Sequence, residues 1–445
     1  MHRMPIALAG LATAAVVVLA GCAGSSTTGA PTTTDALTTT GTMTTGTMTT
    51  GTMTTAPVNP ALQAIDPARL HDVVQKLIDQ MRVPGAVVQL RTPQGNFTVA
   101  VGTTDLDTQT PPAADTHFRI ASNTKTLTAA LIMLLAQDGK LRLTDPVSDY
   151  VPNVPNGNNI TIAQLLEMRS GLSNYTADSE FAATLDTDPA KNWTPDEGLA
   201  IAFRHPPEFA PGQEYDYNNT NYALLGLVAE KAGGRPLADQ FRDRLFGPVG
   251  LHQSSLPAAA DAGVIPAPFS HGYMYGATRY ALADDPYPAD LQAAARSGEL
   301  RPVDYTQQNS SYATAAGGAI STADDLATWI HALVSGQVFD ADVQKQWLAS
   351  PQAEDPAAPD GKKYGYGISY QRFGPHAAMY YHGGEMPGFN SFMGYDPDND
   401  VTLVIWTNLT LDADGRTTAN AMLPAILEEI YSGMSLTSTT PTATR

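Results

Sequence analysis

Two hydrophobic periodicities alternate along the chain. In "DPARLHDVVQKLIDQM", apolar residues recur at 70, 73, 74, 77 and 78, behind Asp66 and Pro67. Spacings of three and four residues place them on one helix face, with Asp66 as N-cap and Pro67 at the first helical position. The runs "GAVVQLRT" and "NFTVAVGTT", separated by Pro93-Gln94-Gly95, predict a hairpin. "RIASNTKTLTAALIMLLAQ", residues 119–137, opens polar and then becomes apolar on all sides, which predicts a helix buried in the domain interior.

From about 140 to 315 the pattern is mostly helix and loop. "TIAQLLEM" (Thr161 with Gln164) and "TPDEGLAIAF" (Thr194 with Glu197) carry the spacing of capping boxes. "YNNTNYALLGLVAEKAGG" reads as a helix ending in a glycine pair. Residues 256–312, rich in Ala, Pro, Asp and Tyr, read as a loop-dominated surface segment. "STADDLATWIHALVSG" begins another helix, with Ser321 and Asp324 at its start. Strand character returns in "YGYGISYQRF", "AAMYYHGG", "NSFMGYDP" and "VTLVIWTN", before a closing helix in "TTANAMLPAILEEIYSGM". Strands at both ends around a helical middle predict an α+β fold. One sheet is assembled from the two chain ends, with a helical subdomain inserted between them.

The N-terminus adds a location. Arg3 precedes an apolar stretch, Ile6 to Ala20, of signal-peptide length and too short for a comfortable membrane span. It ends in "VLAGCAGSS", which resembles a bacterial lipobox; that implies cleavage before Cys22 and lipidation of this cysteine. Cys22 is the only cysteine, so no intrachain disulfide is expected. Residues 1–21 are then a signal peptide and 22–60 a tether. Gly-Thr-Met-Thr-Thr occurs three times from Gly41, without charge or amphipathic period, and such a segment cannot offset its ordering entropy. The folded domain spans 61–435, and 436–445 reads as a disordered tail. The mature protein is expected on the extracytoplasmic face of the membrane, held by its lipid.

Charge and composition exclude more than they assign. With 44 acidic against 25 basic residues the formal net charge is −19, unsuited to a nucleic-acid partner, which calls for a basic surface. The nine histidines are scattered, with no His-Glu-x-x-His or paired Cys/His spacing for a metal. No phosphate or dinucleotide loop is present, and "YGYG" at 364–367 reads as strand and turn, so no cofactor is expected.

The chemistry sits at the mouth of the buried helix. Ser122 and Lys125, at spacing i, i+3, share a helix face. The helix N-terminus favours a developing oxyanion, and a lysine can help take the proton of a weakly nucleophilic serine. Ser-x-x-Lys alone is common. Here it is followed by Tyr217-Asn218-Asn219 in "YDYNNTNYALLG" and by His382-Gly383-Gly384 in "YYHGGEMPGFNS". In this order the three motifs resemble those of the serine β-lactamase and penicillin-recognising family. The match is to the branch with Tyr-x-Asn and His-x-Gly, which includes class C β-lactamases, D-alanyl-D-alanine carboxypeptidases and related esterases. "DPVSDYVP", "ITIAQLLEMRSGL", "AAGGAISTADDLATW" and "MPGFNSF" look like the same framework, so the resemblance covers most of 61–432.

The resemblance implies a β-lactamase/transpeptidase-like fold and an acyl-enzyme on Ser122. Lys125 would lower the pKa of Tyr217, and Tyr217 would act as base and later as acid. Asn219 would bind Lys125 and the substrate amide. His382 would polarise Tyr217 or orient a substrate carboxylate, with Gly384 completing the third motif. The oxyanion hole would be the backbone N–H groups of Ser122 and Glu385. Two departures bear on substrate: Met168-Arg169 stand where many relatives have His-Thr, and Gly383 replaces a frequent hydroxyl residue. The expected substrate is a small molecule or peptide, with a peptidoglycan-derived D-alanyl-D-alanine peptide ranked before an ester or a β-lactam. A surface binding protein without catalysis is the competing class.

Overall fold

The computed structural model describes residues 59–283 and 285–434. The signal segment, Cys22, the tether through residue 58 and the tail 436–445 lie outside the described residues. Eight strands form one antiparallel sheet: β1 Gly85–Thr92, β2 Gly95–Gly102, β3 Gln352–Ala353, β4 Lys363–Tyr364, β5 Ser369–Arg372, β6 Ala378–Met386, β7 Phe389–Asp396 and β8 Val401–Thr407. Their spatial order is β2-β1-β8-β7-β6-β5-β4-β3, so β1 from one chain end pairs with β8 from the other. This is the α+β, β-lactamase/transpeptidase-like arrangement expected from the sequence.

Strands β1 and β8 are apolar on both sides because both sides are covered. Ala86, Val88, Leu90, Leu403 and Ile405 enter one core, whereas Val87, Val404 and Trp406 enter the other. The first core is closed by α1 (Pro67–Met81) through Leu70, Val74 and Ile78, together with the final helix, Thr418–Ile430. Asp66 caps α1 as expected, accepting from the N–H groups of Ala68 and Arg69. The second core is built around α2 (Thr124–Gln137), in which every residue from Thr124 to Leu135 is buried.

Further helices follow the caps read in the sequence. They are α3 (Ile162–Leu166), α4 (Pro195–Ala202) and α5 (Asn219–Gly233), with complete capping boxes at Thr161/Gln164 and Thr194/Glu197. Gly234 ends α5 at φ 66°, the left-handed conformation that glycine adopts at little cost. Helix α6 (Ala323–Val334) starts one residue later than its sequence suggests. Ser321 is held extended by the pairing of Ile320–Ser321 with Phe118–Arg119, so Thr322 becomes the cap and accepts from Asp325 N–H. Helix α7 is Thr418–Ile430.

The 256–312 segment departs most from expectation. It contains the helices Arg279–Leu282 and Ala289–Ser297 and a paired Tyr273–Met274/Val303–Asp304 ribbon. Tyr273, Met274, Tyr275, Tyr280, Tyr287 and Tyr312 are all buried. Aromatic anchors set singly among Pro and Asp carry no helical or strand period, so their burial leaves no pattern in the sequence. Among the described residues no helix is long and apolar enough to cross a membrane.

Candidate active site

Ser122 lies on a single 3₁₀ turn, Ala121–Asn123, that leads into α2. Ala121 is held at φ 48°, a left-handed conformation that costs a non-glycine residue about 1–2 kcal/mol. The strain persists because the turn is tied on two sides. Asn123 Nδ2 donates to Ile120 O at 3.1 Å and to Ser391 Oγ of β7 at 2.8 Å. Thr128 Oγ1 donates to Ala315 O at 2.7 Å, and Ala319 N–H donates to Thr124 Oγ1 at 3.1 Å. The half-buried serine therefore stands on backbone that packing has fixed.

Lys125 is fully buried beneath it. Its Nζ lies 2.9 Å from Ser122 Oγ, 2.7 Å from Asn219 Oδ1 and 2.8 Å from Ala316 O. The last two partners can only accept, so each consumes one N–H of the lysine. An uncharged amine has two such hydrogens, and its lone pair then faces the serine hydroxyl. Burial pushes the ammonium well below the ordinary lysine value, which favours that uncharged form.

Tyr217 and Asn219 are delivered by the start of α5. Asn218 caps the helix by accepting from Thr220 N–H at 2.8 Å, which fixes the turn between the two functional side chains. Asn219 Nδ2 donates to Thr176 Oγ1 at 2.9 Å and its N–H to Asn174 Oδ1 at 3.2 Å. The Tyr217 ring is 36% exposed, and Lys125 Nζ stands 4.8 Å from its centroid. Burial around the hydroxyl raises the phenol above its ordinary value; the hydrogen bond to Ser122 opposes this, and the Glu385 and Glu354 carboxylates add to the rise. The balance keeps Tyr217 protonated, where the sequence reading has Lys125 lowering its pKa.

Met168 does not line a substrate loop. It is buried at φ 60° under the same turn, and its sulfur accepts from Asn218 N–H at 3.4 Å and Asn221 Nδ2 at 3.5 Å. Arg169 Nη2 donates to Ala353 O at 2.9 Å, and its guanidinium lies 5.7 Å from the Tyr215 ring centroid. Met168 thus supports the Tyr217–Asn219 turn directly, while Arg169 packs on Tyr215 just before it.

The third motif lies on β6. Strand β5 covers only Ala378–Tyr381 of β6, so the edge from His382 onward turns to the Ser122 loop. Gly384 makes that approach possible. A Cβ there would stand 2.3 Å from Ile120 O, 2.5 Å from Ser391 Oγ and 2.9 Å from Asn123 Nδ2. Gly384→Ala is accordingly expected to lower stability by about 1–3 kcal/mol, measured as a shift in urea midpoint. An unchanged midpoint would show that the strand and turn are not in contact.

His382 does not meet Tyr217 by hydrogen bond. Its Nδ1 lies 2.7 Å from Gly383 O and its Nε2 3.1 Å from Tyr364 Oη, while its ring centroid is 6.2 Å from that of Tyr217. A carbonyl accepts only, so Nδ1 carries the proton. Burial pushes the imidazole down to about 3, and Lys125 and Lys362, when charged, act in the same direction. The ring is thus neutral, and its Nε2 accepts from Tyr364 O–H.

Four participants were not assigned from sequence: Tyr364, Thr176, Asn174 and Ala316. For Tyr364 a signal existed in "YGYG". A Cβ on Gly367 would stand 2.4 Å from Ala129 Cβ and 2.9 Å from Lys125 O, so this turn packs directly against α2 as part of the site floor. The other three act through single backbone or side-chain contacts that no spacing encodes.

Comparison with known proteins places this geometry. The Beta-lactamase family profile matches residues 70–425. Protein flp of Staphylococcus aureus (strain MW2) is 26% identical over 360 residues, covering 79% of this chain and 64% of its own length. The chain thus spans slightly less than two thirds of that relative. The crystal structure of a D-stereospecific amidohydrolase from Streptomyces sp. superposes with a TM-score of 0.69 at 27% identity, over 83% of this chain and 100% of that one. The D-amino acid amidase from Ochrobactrum anthropi SV3, complexed with L-phenylalanine, gives 0.67 at 27% identity, over 80% and 98%.

Proposed function

The chain belongs to the Beta-lactamase family of serine hydrolases, and on that premise we propose that it hydrolyses an amide bond whose acyl half is a D-configured residue, through an acyl-enzyme on Ser122. The observation that carries the mechanism is the arrangement around Lys125. With Asn219 Oδ1 and Ala316 O taking its two hydrogens, the amine presents its lone pair to Ser122 Oγ and is the base for attack. As Oγ bonds to the carbonyl carbon, its proton passes to Lys125 Nζ. The backbone N–H groups of Ser122 and Glu385 receive the carbonyl oxygen as it gains charge. Tyr217, still protonated, gives its proton to the departing nitrogen, and the new ammonium on Lys125 stabilises the resulting phenolate. In deacylation water loses a proton to Tyr217 and Oγ recovers its own from Lys125, so the cycle closes with one water consumed.

The substrate side rests on the solved neighbours, a D-stereospecific amidohydrolase and a D-amino acid amidase, and on the lipobox-like N-terminus. A lipid-anchored enzyme facing outward would meet D-alanyl peptides of the cell envelope, so D-alanyl-D-alanine peptides and D-amino acid amides both carry the bond described. The test is a panel of D-alanyl-D-alanine peptide, D-phenylalanine amide, a p-nitrophenyl ester and a fluorescent penicillin, with mass spectrometry on the peptide containing Ser122. Tyr217→Phe is expected to lower kcat on the amides by about 10²–10³-fold with KM changed little. Turnover without any acyl adduct on Ser122 would sink the mechanism. No adduct and no turnover across the panel would favour a binding protein.

A further inference from the structure

We propose that Thr176 is a positioning residue for the nucleophile: its hydroxyl, anchored on Asn174, fixes which end of the Asn219 amide faces Lys125, and so which way the hydrogen bond between Lys125 and Ser122 runs. This rests on the hydrolase reading above and names a residue on which its first proton transfer depends.

The orientation follows from donors that cannot be reversed. Asn174 accepts at Oδ1 from the backbone N–H groups of Asn219 at 3.2 Å and Thr176 at 3.4 Å. A backbone N–H only donates, so the atom it meets is the amide oxygen. Thr176 Oγ1 lies 3.0 Å from that same oxygen and spends its one hydrogen there. Toward Asn219, 2.9 Å away, the hydroxyl then has only lone pairs to offer. The Asn219 atom in front of it is therefore Nδ2, and Oδ1 is turned to Lys125 Nζ at 2.7 Å. Among the described residues Thr176 is the only partner of Asn219 Nδ2.

The far end of this relay is the serine. Asn219 Oδ1 and Ala316 O each take a hydrogen from Nζ, which leaves the amine lone pair for Ser122 at 2.9 Å. With the amide reversed, Nδ2 would donate to that lone pair and an N–H of Lys125 would point at Oγ. The serine would then accept a hydrogen bond instead of giving up its proton. The backbone that carries Thr176 does not depend on its hydroxyl. Its 3₁₀ turn, Tyr175–Ala177, is latched to the start of α5 by Tyr175 N–H to Thr220 Oγ1 at 3.2 Å and by Thr220 Oγ1 to Ser173 O at 2.7 Å. Tyr175 Oη adds a bond to Tyr312 O at 2.7 Å.

The experiment follows p-nitrophenolate release from an ester with enzyme in excess, in the wild type, Thr176→Val and Thr176→Ser. This leaving group departs without a proton from Tyr217, so its release reads the deprotonation and acylation of Ser122. Thr176→Val is expected to slow acylation about 10–100-fold, the range that one lost buried hydrogen bond spans, with binding of the ester changed little. Thr176→Ser keeps the hydroxyl and should recover most of the loss. In parallel, neutron diffraction from deuterium-exchanged wild-type crystals should place the Thr176 deuteron toward Asn174 and the Asn219 Nδ2 deuterons on the side away from Lys125. Thr176→Val acylating at the wild-type rate, Thr176→Ser as slow as Thr176→Val, or Asn219 Nδ2 facing Lys125 in the neutron map would each overturn the proposal. The map needs neither turnover nor a variant. A wild type that turns over nothing therefore sinks the hydrolase reading, while the map still decides the orientation of Asn219.

Discussion

Ser122→Ala is expected to lower turnover of any substrate by about 10⁵-fold, as loss of a covalent nucleophile does in other serine hydrolases. The loss should fall on chemistry and not on folding. The 3₁₀ turn that carries Ser122 is tied by Asn123 to Ile120 O and Ser391 Oγ, and by the close approach of Gly384 to Ile120 O. None of these contacts involves the serine hydroxyl. Removing one half-buried oxygen should shift stability by no more than about 1 kcal/mol. Steady-state kinetics and a melting curve on the same sample check both halves. A variant that melts like wild type and still turns over substrate at more than about 1% of its rate would refute the acyl-enzyme.

Lys125→Met should cost about 10³–10⁴-fold in kcat/KM, because it removes the group placed to accept the serine proton. Its second effect is on stability and has a sign. In the unfolded chain the lysine binds a proton up to a pH of about 10.4, whereas burial pushes its folded-state pKa well below that. Between the two pKa values the unfolded state holds one more proton, so stability rises with pH through this window and is lost as pH falls. Methionine has no such term. Wild type should therefore gain on Lys125→Met by about 1.4 kcal/mol per pH unit between the lowered pKa and pH 10. At a single pH the comparison is less informative, because relief of the buried amine is offset by the orphaned Asn219 Oδ1 and Ala316 O. Urea denaturation of both proteins at several pH values measures the slope. A difference that is flat with pH would mean that Lys125 keeps its proton when folded, and that a different group deprotonates Ser122.

The parts of the site legible in sequence are those whose partners are close along the chain or whose motif is ordered along it. Asp66, Thr161 and Thr194 cap their helices from within three residues, so the local spelling suffices. Ser122 and Lys125 meet at 2.9 Å because one turn of helix separates them. Tyr217, Asn219 and His382 were read from the order of three motifs, and the fold brings them to the same serine. The start of α6 was misplaced by one residue because a long-range strand pair, Ile320–Ser321 with Phe118–Arg119, holds Ser321 out of the cap. No local preference encodes that pairing.

By itself the sequence determined the family, the sheet built from both chain ends and the buried helix that Ser122 leads into, and it named the candidate side chains that the fold brings together. These follow from periodicity and from residues whose chemistry has few uses. The tertiary structure alone decided the protonation states. Lys125 is pressed toward an amine because burial disfavours its charged form, while Asn219 and Ala316 each accept one of its hydrogens. Tyr217 keeps its proton because burial and two carboxylates oppose the phenolate. His382 is neutral because burial disfavours the imidazolium, and its second nitrogen meets Tyr364, reached through the β4–β5–β6 turns. A proton's position depends on the summed field of groups from many segments, and that sum exists only once the chain has folded around it.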